Sequence, residues 1–419
     1  MGAVGGYRKS SLPKLRGRGF QAYKLIGNGA FQRIFERIVK AAIFYGARDF
    51  RVEDIARPKI QPTDVLVKVK ACGICGSDLH AYKEGIFSRP GFVMGHELAG
   101  EVVEVGNRVE RIAVGDRIVP LGGVKEKSCG ECFWCQREQP QWCSSISHKP
   151  CGECPECKSG KFWLCEKHQR YMHAGYSRNG GYAEYMFVPD ANINRNVYKV
   201  PDSVSFEEAT FLEPLWGAYK WVEMANPQPH DTAVVTGLGT IGLLVMQVLK
   251  HRVARVLVSD VSEKRLHLAG ELGADVVINA SKEDPLARII ELTGTGRSFS
   301  GKGGGRADIV IECSGASAAF KQAIEMTRTG GHIVLVGLFE QEISFNVNRI
   351  IHKRLKLVSS FNPGRRPAPE EISDCMDLIA SGKVKVRPLI SHEFPLDEIM
   401  DAFETQTRAS ESVKVIVKP

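Results

Sequence analysis

The chain lacks the long apolar run that a membrane-spanning helix requires, and beyond residue 38 it also lacks an excess of charge of either sign. No stretch approaches the roughly 20 apolar residues needed to cross a bilayer. Of 56 Lys/Arg and 48 Asp/Glu in the 419 residues, eight and one fall in residues 1–38, which leaves 48 against 47 in the rest. Because nucleic-acid-binding surfaces carry a basic excess, we predict neither a nucleic-acid nor a membrane partner.

Residues 1–38 carry Gly, Pro and Arg at irregular intervals and show no strand alternation. We predict that they form a disordered or non-native N-terminal extension, and we favour a translation start at Val39, where the first strand pattern begins. A real disordered tail is one alternative, and a transit peptide is another because the segment is basic and poor in acids.

A thiol, an imidazole and a carboxylate come together in the motifs CGICGSDLH and GHE. Cys75 precedes His96 by 21 positions, and Glu97 follows directly. A catalytic zinc site uses three protein ligands and keeps a fourth position open, whereas a structural site is closed by four ligands that are often sulfur. One Cys, one His and one acid fit the open type. Each residue alone is more often a packing or surface residue, and Cys72 of the same CxxC is interpreted as packing.

Two cysteine quartets follow with the spacing C-x2-C-x2-C-x7-C, offset by 22 residues. Such a quartet suits a closed tetrahedral zinc site with four sulfur ligands. We expect no secretion signal, so disulfides are the weaker explanation. An iron–sulfur cluster is the rival, but the x7 gap differs from the x3-Cys-Pro ending of bacterial ferredoxins. The candidate ligands are Cys129, Cys132, Cys135 and Cys143 in the first quartet, and Cys151, Cys154, Cys157 and Cys165 in the second.

A predicted strand over residues 233–236 leads into the pattern GxGxxG and then into an apolar helix and a second strand that ends at Asp260. Glycines permit the tight turn and the approach of a pyrophosphate to a helix N-terminus, and an acid about 20 residues later binds the ribose hydroxyls. The carboxylate of Asp260 would repel the 2′-phosphate of NADP, so NAD is predicted. Arg265 could instead pair with that phosphate. The candidate loop residues are Gly237, Gly239, Ile241 and Gly242.

Together, CGICGSD, GHE and the glycine loop resemble the zinc-dependent medium-chain alcohol and polyol dehydrogenase family, which includes sorbitol and threonine dehydrogenases. The resemblance runs from about residue 39 to residue 419. It implies that Cys75 and His96 bind a catalytic zinc and that Glu97 is a ligand or lies close to one. It also implies that Ser77 and His80 relay a proton towards solvent.

The resemblance also concerns three further parts of the chain. The acid of Glu-Pro-Leu, Glu213, would bind the zinc directly or through its water, as in polyol-type enzymes; a simple helix-start acid is the alternative. Arg265 would lie against the adenine face. The family has one structural zinc lobe, so the doubled quartet departs from its pattern, and one or two structural zincs are expected beside the catalytic one.

The predicted fold is α/β, with a Rossmann doubly wound parallel-sheet domain and a discontinuous, mainly β, GroES-like catalytic domain. The expected boundaries are the extension at 1–38, the catalytic domain at 39–203 with its zinc lobe at 129–165, the NAD-binding domain at 204–363 and a return to the catalytic domain at 364–419.

The predicted activity is the zinc- and NAD-dependent oxidation of a secondary alcohol to the ketone, with a polyol or sugar alcohol as the expected substrate. The enzyme is expected to be a cytoplasmic homodimer or homotetramer. L-Threonine 3-dehydrogenase activity is the alternative within the family. A zinc- or redox-responsive binding protein is the alternative of another class.

Overall fold

The computed structural model describes residues 38–85, 88, 90–121, 155–158, 179–301, 303–359 and 368–419. Residues Val39–Pro419 form one compact unit. The two cysteine quartets lie outside the described residues except for the backbone at 155–158, so the predictions made for them keep that status.

The strands, in chain order, are β1 (Ile38–Gly46), β2 (Asp49–Ala56), β3 (Val65–Gly73), β4 (Phe92–Val93), β5 (Glu97–Val105), β6 (Arg117–Pro120), β7 (Tyr185–Val188), β8 (Val197–Lys199), β9 (Thr232–Thr236), β10 (Arg255–Asp260), β11 (Val276–Asn279), β12 (Ala307–Glu312), β13 (Thr327–Leu335), β14 (Lys356–Ser359), β15 (Ile390–Pro395) and β16 (Lys414–Lys418).

The α-helices are α1 (Gly76–Glu84), α2 (Pro155–Lys158), α3 (Phe206–Ala209), α4 (Leu212–Ala225), α5 (Thr240–Lys250), α6 (Glu263–Glu271), α7 (Pro285–Thr293), α8 (Ser317–Met326), α9 (Asn348–Lys353), α10 (Ala368–Ala380) and α11 (Ile399–Thr407). Two short 3-10 turns, Arg387–Leu389 and Leu396–Glu398, flank β15.

Six strands form a parallel sheet in the order β11-β10-β9-β12-β13-β14. Its central strands are apolar along their length because helices cover both faces of such a sheet. Val234 and Val258, for example, are fully buried. The order runs outwards in both directions from β9, and the glycine loop after β9 lies where the direction changes. Ligands bind at this place in doubly wound folds.

A second sheet has the order β15-β16-β3-β5-β6-β8, with β7 also paired to β3. Its strands pair in the antiparallel direction except for β15 and β16, which are parallel. The C-terminal strand β16 lies beside β3, with Val417 opposite Cys72. The chain therefore returns after the parallel sheet to complete the sheet in which it began. The α/β class with a parallel Rossmann-type sheet and a GroES-like sheet is confirmed, whereas the predicted domain boundaries remain predictions.

The residues that follow Ser205 form two helices with a short break between them instead of one continuous helix. Ser205 and Glu208 form a capping box, in which each side chain accepts a hydrogen bond from the other residue's backbone N–H. Helix α3 nevertheless ends at Ala209, and α4 starts at Leu212. Pro214 explains the break, because its ring cannot follow a helical turn but is tolerated in the first turn of a new helix. The break places Glu213 at the start of α4.

Among the residues that the structure describes, no helix combines the length and apolar character that crossing a bilayer demands. The cytoplasmic location stays a prediction.

Candidate active site

The thiol, imidazole and carboxylate of the two sequence motifs converge in the structure. Cys75 is the N-cap residue of α1, His96 precedes β5, and Glu97 is its first residue. One potential ligand atom from each of these three side chains lies within 4.8 Å of the other two. The sequence-predicted set of Cys75, His96 and Glu97 is thus brought together at one point.

Gly95 allows the turn that leads the chain into His96 and Glu97. Its φ is +92°, a conformation that L side chains rarely adopt, and a Cβ there would lie 2.7 Å from Cys72 Sγ and 3.0 Å from the ring of Tyr182. The glycine before His96 is therefore required by sterics. The buried Cys72 packs behind the turn, in agreement with its interpretation as a packing residue.

A second carboxylate, Asp78, lies behind the imidazole. Asp78 Oδ1 is 3.5 Å from His96 Nδ1, and Asp78 Oδ2 accepts hydrogen bonds from the Cys75 backbone at 3.1 Å and from the Tyr182 hydroxyl at 2.8 Å. Burial by itself would raise the pKa of Asp78, but His96 and these donors outweigh it and lower the pKa. An ionised carboxylate at Nδ1 fixes the ring and leaves Nε2 for a metal.

Glu97 forms a buried ion pair with Lys414. The carboxylate accepts from the ammonium group, and the two side chains are 1% and 2% exposed. Lys414 Nζ also donates to the Ile74 carbonyl at 3.1 Å. Burial would lower the pKa of Lys414, but Glu97 and Cys75 raise it on balance, so the side chain is a cation. Glu97 is therefore held in place by a lysine of the C-terminal strand β16.

Glu213 lies close enough to His96 and Glu97 to interact with them electrostatically. Burial raises the pKa of Glu213, His96 opposes this rise, and Glu97 adds to it. Its carboxylate is not part of the group whose ligand atoms lie within 4.8 Å of one another. Three residues later on α4, the indole N–H of Trp216 donates to the buried Glu371 at 3.0 Å. This bond fixes the orientation of the indole ring.

Helix α1 carries the two predicted relay residues. Ser77 and His80 are three residues apart on this helix, a spacing that puts them on neighbouring turns of one face. The His80 side chain is 20% exposed, and its Nδ1 lies near the carboxylates of Glu84 and Glu340. Because Cys75 is the N-cap of α1, the helix runs from this candidate ligand to the partly exposed His80.

The glycine loop has the geometry of a dinucleotide-binding turn. Gly237 has a φ of +85°, and a Cβ on Gly242 would lie 1.8 Å from the Gly237 carbonyl oxygen. Gly239 is the N-cap of α5, whose first turn contains the half-buried Ile241. Asp260 ends β10 as predicted.

Asp260 accepts one hydrogen bond from the glycine loop and another from the residue two positions further along the chain. Its Oδ2 accepts from the Leu238 backbone N–H at 2.5 Å, and Oδ1 accepts from the Ser262 N–H at 2.8 Å. Arg265 donates to the Ser412 carbonyl at 2.9 Å. Burial lowers the pKa of Arg265, while Asp260 raises it. The sequence therefore located the acid and the arginine near the loop, but it did not reveal that the C-terminal segment holds the arginine.

Sequence reasoning missed Asp78, Tyr182 and Lys414. Asp78 stands between the two predicted relay residues in the motif CGSDLH, so its position within a quoted motif was an available signal. Lys414 is 317 residues from Glu97, and Tyr182 is 104 residues from Asp78, so only the fold brings these pairs together.

The donor set fits a zinc ion. Sulfur, imidazole nitrogen and carboxylate oxygen are the three ligand types that zinc takes from proteins. Burial and Glu97 raise the pKa of the Cys75 thiol, although His96 opposes them. A buried thiol beside a carboxylate becomes a thiolate when a divalent cation replaces its proton, and Asp78 supplies the carboxylate–histidine contact typical of zinc ligands.

Comparison with known proteins agrees with this geometry. A family model described as an alcohol dehydrogenase GroES-like domain matches residues 61–148, and one described as a zinc-binding dehydrogenase matches residues 240–381. L-Threonine 3-dehydrogenase of Pyrococcus furiosus is 34% identical over 385 residues, which cover 90% of this chain and 97% of that protein. Sorbitol dehydrogenase of Bacillus subtilis is 30% identical over 389 residues, covering 91% of this chain and 97% of that protein. The crystal structure of 2R,3R-butanediol dehydrogenase from Bacillus subtilis superposes with a TM-score of 0.72 at 29% identity, covering 91% of this chain and 99% of that one.

The fold and the site therefore define a zinc-binding dehydrogenase. The chain belongs to the zinc-dependent medium-chain alcohol and polyol dehydrogenase family. It is an oxidoreductase that uses zinc and a nicotinamide dinucleotide, so the predicted family, enzyme class and cofactor types are confirmed.

Proposed function

We propose that this enzyme oxidises a secondary alcohol of a polyol or sugar alcohol to the ketone with NAD, and catalyses the reverse reduction. The observation that carries the proposal is the convergence of Cys75, His96 and Glu97 at the start of the helix that bears Ser77 and His80. Sorbitol dehydrogenase and 2R,3R-butanediol dehydrogenase among the similar proteins are consistent with a secondary alcohol as the substrate.

Cys75 and His96 would hold the catalytic zinc, with Glu97 or Glu213 as the acidic member of the set. When bound, zinc supplies a Lewis acid that lowers the pKa of the alcohol, and the nicotinamide accepts the hydride. Asp78 holds the His96 ring through Nδ1 and so orients the other nitrogen. Lys414 holds Glu97 in a single position.

Ser77 and His80 move the proton of the alcohol to solvent. A hydroxyl can accept one proton and donate another, and an imidazole with a pKa near neutrality can receive it. The partly exposed His80 provides the exit, because 20% of its side chain is accessible to water. Both residues stay on α1, so the path does not depend on a flexible loop.

NAD, and not NADP, is the proposed dinucleotide because of Asp260. Its two oxygens accept from the backbone of Leu238 and Ser262, which fixes a carboxylate beside the glycine loop. A 2′-phosphate placed there would face this negative charge, whereas two ribose hydroxyls could donate to it.

L-Threonine 3-dehydrogenase activity is a second candidate, favoured by the 34% identity to the Pyrococcus furiosus enzyme. Threonine is also a secondary alcohol, so the same zinc and relay residues would serve. The two candidates differ in the groups that surround the hydroxyl. Relative kcat/KM values for threonine and for a series of polyols therefore discriminate between them.

The predicted homodimer or homotetramer is also proposed. The strand β14 forms one end of the parallel sheet. In the segment that precedes β14 in the chain, Val347 is 55% exposed, and Ile351 on α9 is 61% exposed. An open strand edge and exposed apolar side chains each favour pairing with a second copy. Light scattering coupled to size-exclusion chromatography measures the mass of the assembly.

The test of the proposed function compares Cys75→Ala with the control Cys72→Ala. Both changes remove a thiol of the same CxxC, but only Cys75 lies in the group of candidate ligands. Zinc per subunit is measured by elemental analysis, and NAD reduction is assayed on polyols, other secondary alcohols and threonine. We expect Cys75→Ala to lose one zinc and its activity, while Cys72→Ala keeps both. Activity that survives in Cys75→Ala would refute the zinc mechanism.

A further inference from the structure

A second set of possible metal ligands surrounds His80. Its Nδ1 is 3.6 Å from Glu84 Oε1 and 3.8 Å from Glu340 Oε1, and the three donor atoms all lie within 4.8 Å of one another. None of the three residues belongs to the group formed by Cys75, His96 and Glu97. The set is therefore separate from the catalytic metal centre.

The spacing of the donor atoms matches that of zinc ligands. A tetrahedral zinc with ligands at about 2.1 Å holds its donor atoms roughly 3.4 Å apart. The two separations from His80 Nδ1, 3.6 and 3.8 Å, are close to this value, and the carboxylate oxygens lie within 4.8 Å of each other. One imidazole nitrogen and two carboxylate oxygens are all ligands that zinc accepts, and the remaining position would be taken by water.

The backbone fixes two of the three donors relative to each other. His80 and Glu84 are four residues apart on α1, so they face the same side of the helix. The helix is closed at both ends, with Cys75 as its N-cap and Gly85 in the left-handed conformation as its C-cap. Glu340 lies in the segment that connects β13 of the parallel sheet to α9.

Charge also favours a cation here. Two carboxylates face one imidazole, and exposed carboxylates this close repel each other unless a cation lies between them. An ordinary surface ion pair with a protonated histidine would add little to stability, because Glu84 and Glu340 are 42% and 63% exposed. A divalent cation interacts with both acids at once and does not require the histidine to be charged.

We propose that His80, Glu84 and Glu340 form a second, inhibitory zinc site. Zinc bound there occupies the imidazole and ties α1 to the segment that follows β13. The inhibitory effect rests on the proposed function, in which His80 carries the proton to solvent. Zinc binding itself does not depend on that role. The enzyme would thus need one zinc for activity and be slowed by a further one.

The experiment compares the wild-type chain with Glu340→Gln and with Glu342→Gln, all loaded with their tightly bound zinc and dialysed free of excess metal. Glu342 is an exposed acid of the same segment outside the candidate set, so it controls for the loss of a surface charge. Added Zn²⁺ is titrated by calorimetry, and initial rates of NAD reduction are measured over the same concentrations. Each variant's rate without added Zn²⁺ is its own reference.

We expect Glu340→Gln to bind the additional Zn²⁺ at least roughly tenfold more weakly than the wild type. Even the loss of a residue that only hydrogen-bonds to a metal ligand lowers metal affinity by about this factor. Its inhibition should weaken by the same factor, and Glu342→Gln should behave as the wild type does. Equal titrations for all three proteins would overturn the site. Weaker binding with unchanged inhibition would overturn the inhibitory role. A wild type that binds the extra Zn²⁺ but oxidises no alcohol would refute the proposed function and leave the site standing.

Discussion

Replacing Lys414 by Met should destabilise the protein far more than the loss of an ordinary ion pair does. The substitution removes the ammonium group and keeps a side chain of similar length. It leaves the carboxylate of Glu97, which is 1% exposed, without its cation. Removing one partner of a buried pair costs about 3–5 kcal/mol, because the remaining charge stays desolvated.

The magnitude can be converted into a change in melting temperature. Unfolding entropy is about 2.1 cal/mol/K per residue, so for a unit of this length 3–5 kcal/mol corresponds to a Tm lower by roughly 4–6 °C. Melts are recorded by circular dichroism in the presence of a chelator, so that no metal neutralises the freed carboxylate. Lys40→Met is the matched control. Its pair with Asp397 is exposed at both ends, and we expect no measurable shift.

A double-mutant cycle distinguishes the buried charge from lost packing. Glu97→Gln alone leaves a buried ammonium group without its partner, whereas Glu97→Gln combined with Lys414→Met removes both charges of the pair. We expect the double variant to melt above either single variant, because replacing both partners of a buried pair is often nearly neutral. A Lys414→Met shift no larger than that of Lys40→Met would refute the reasoning, and so would strictly additive effects in the cycle.

Two further predictions concern the cofactor and the metal. Asp260→Ser should raise the ratio of kcat/KM for NADP to that for NAD at least about tenfold, which corresponds to 1.4 kcal/mol, because the fixed carboxylate no longer faces the 2′-phosphate; steady-state kinetics with both dinucleotides measure it, and an unchanged ratio would contradict the role of Asp260. For the metal, the raised pKa of Cys75 means that the thiol is protonated in the metal-free enzyme at neutral pH. Zinc must displace this proton, so the affinity of the site should rise roughly tenfold per pH unit below the thiol pKa. Chelator competition at pH 6, 7 and 8 tests this, with Cys75→Ala as the reference, and a flat profile would contradict the reasoning.

The parts of the site that the sequence predicted are those whose signals are local. Cys75, His96 and Glu97 lie within 23 consecutive residues, and the glycine loop and Asp260 belong to one βαβ unit. Local motifs of this kind carry their own geometry, because a turn, a helix start and a strand end fix where each side chain goes.

The parts that it did not predict depend on strand register. Lys414 reaches Glu97 because β16 pairs with β3, with Ile416 opposite Gly73, and no local pattern specifies that register. A Cβ on Gly73 would lie 2.6 Å from Glu97 Oε2 and 2.7 Å from Lys414 Cε. The glycine therefore makes room for the ion pair, but its reason is visible only once the C-terminal strand is in place.

The same long-range contacts explain why the centre requires a metal. Asp78, Glu97 and Glu213 are three acids close to His96, and within the part of the chain described here Lys414 forms a buried ion pair with Glu97. Burial opposes the ionised forms of Asp78 and Glu213, and it raises the pKa values of Cys75 and Glu213. A zinc ion adds two positive charges at the point where the thiol, imidazole and carboxylate meet, so it can replace those protons. On this reasoning Lys414 balances the one acid that the C-terminal strand can reach, and zinc balances the remainder.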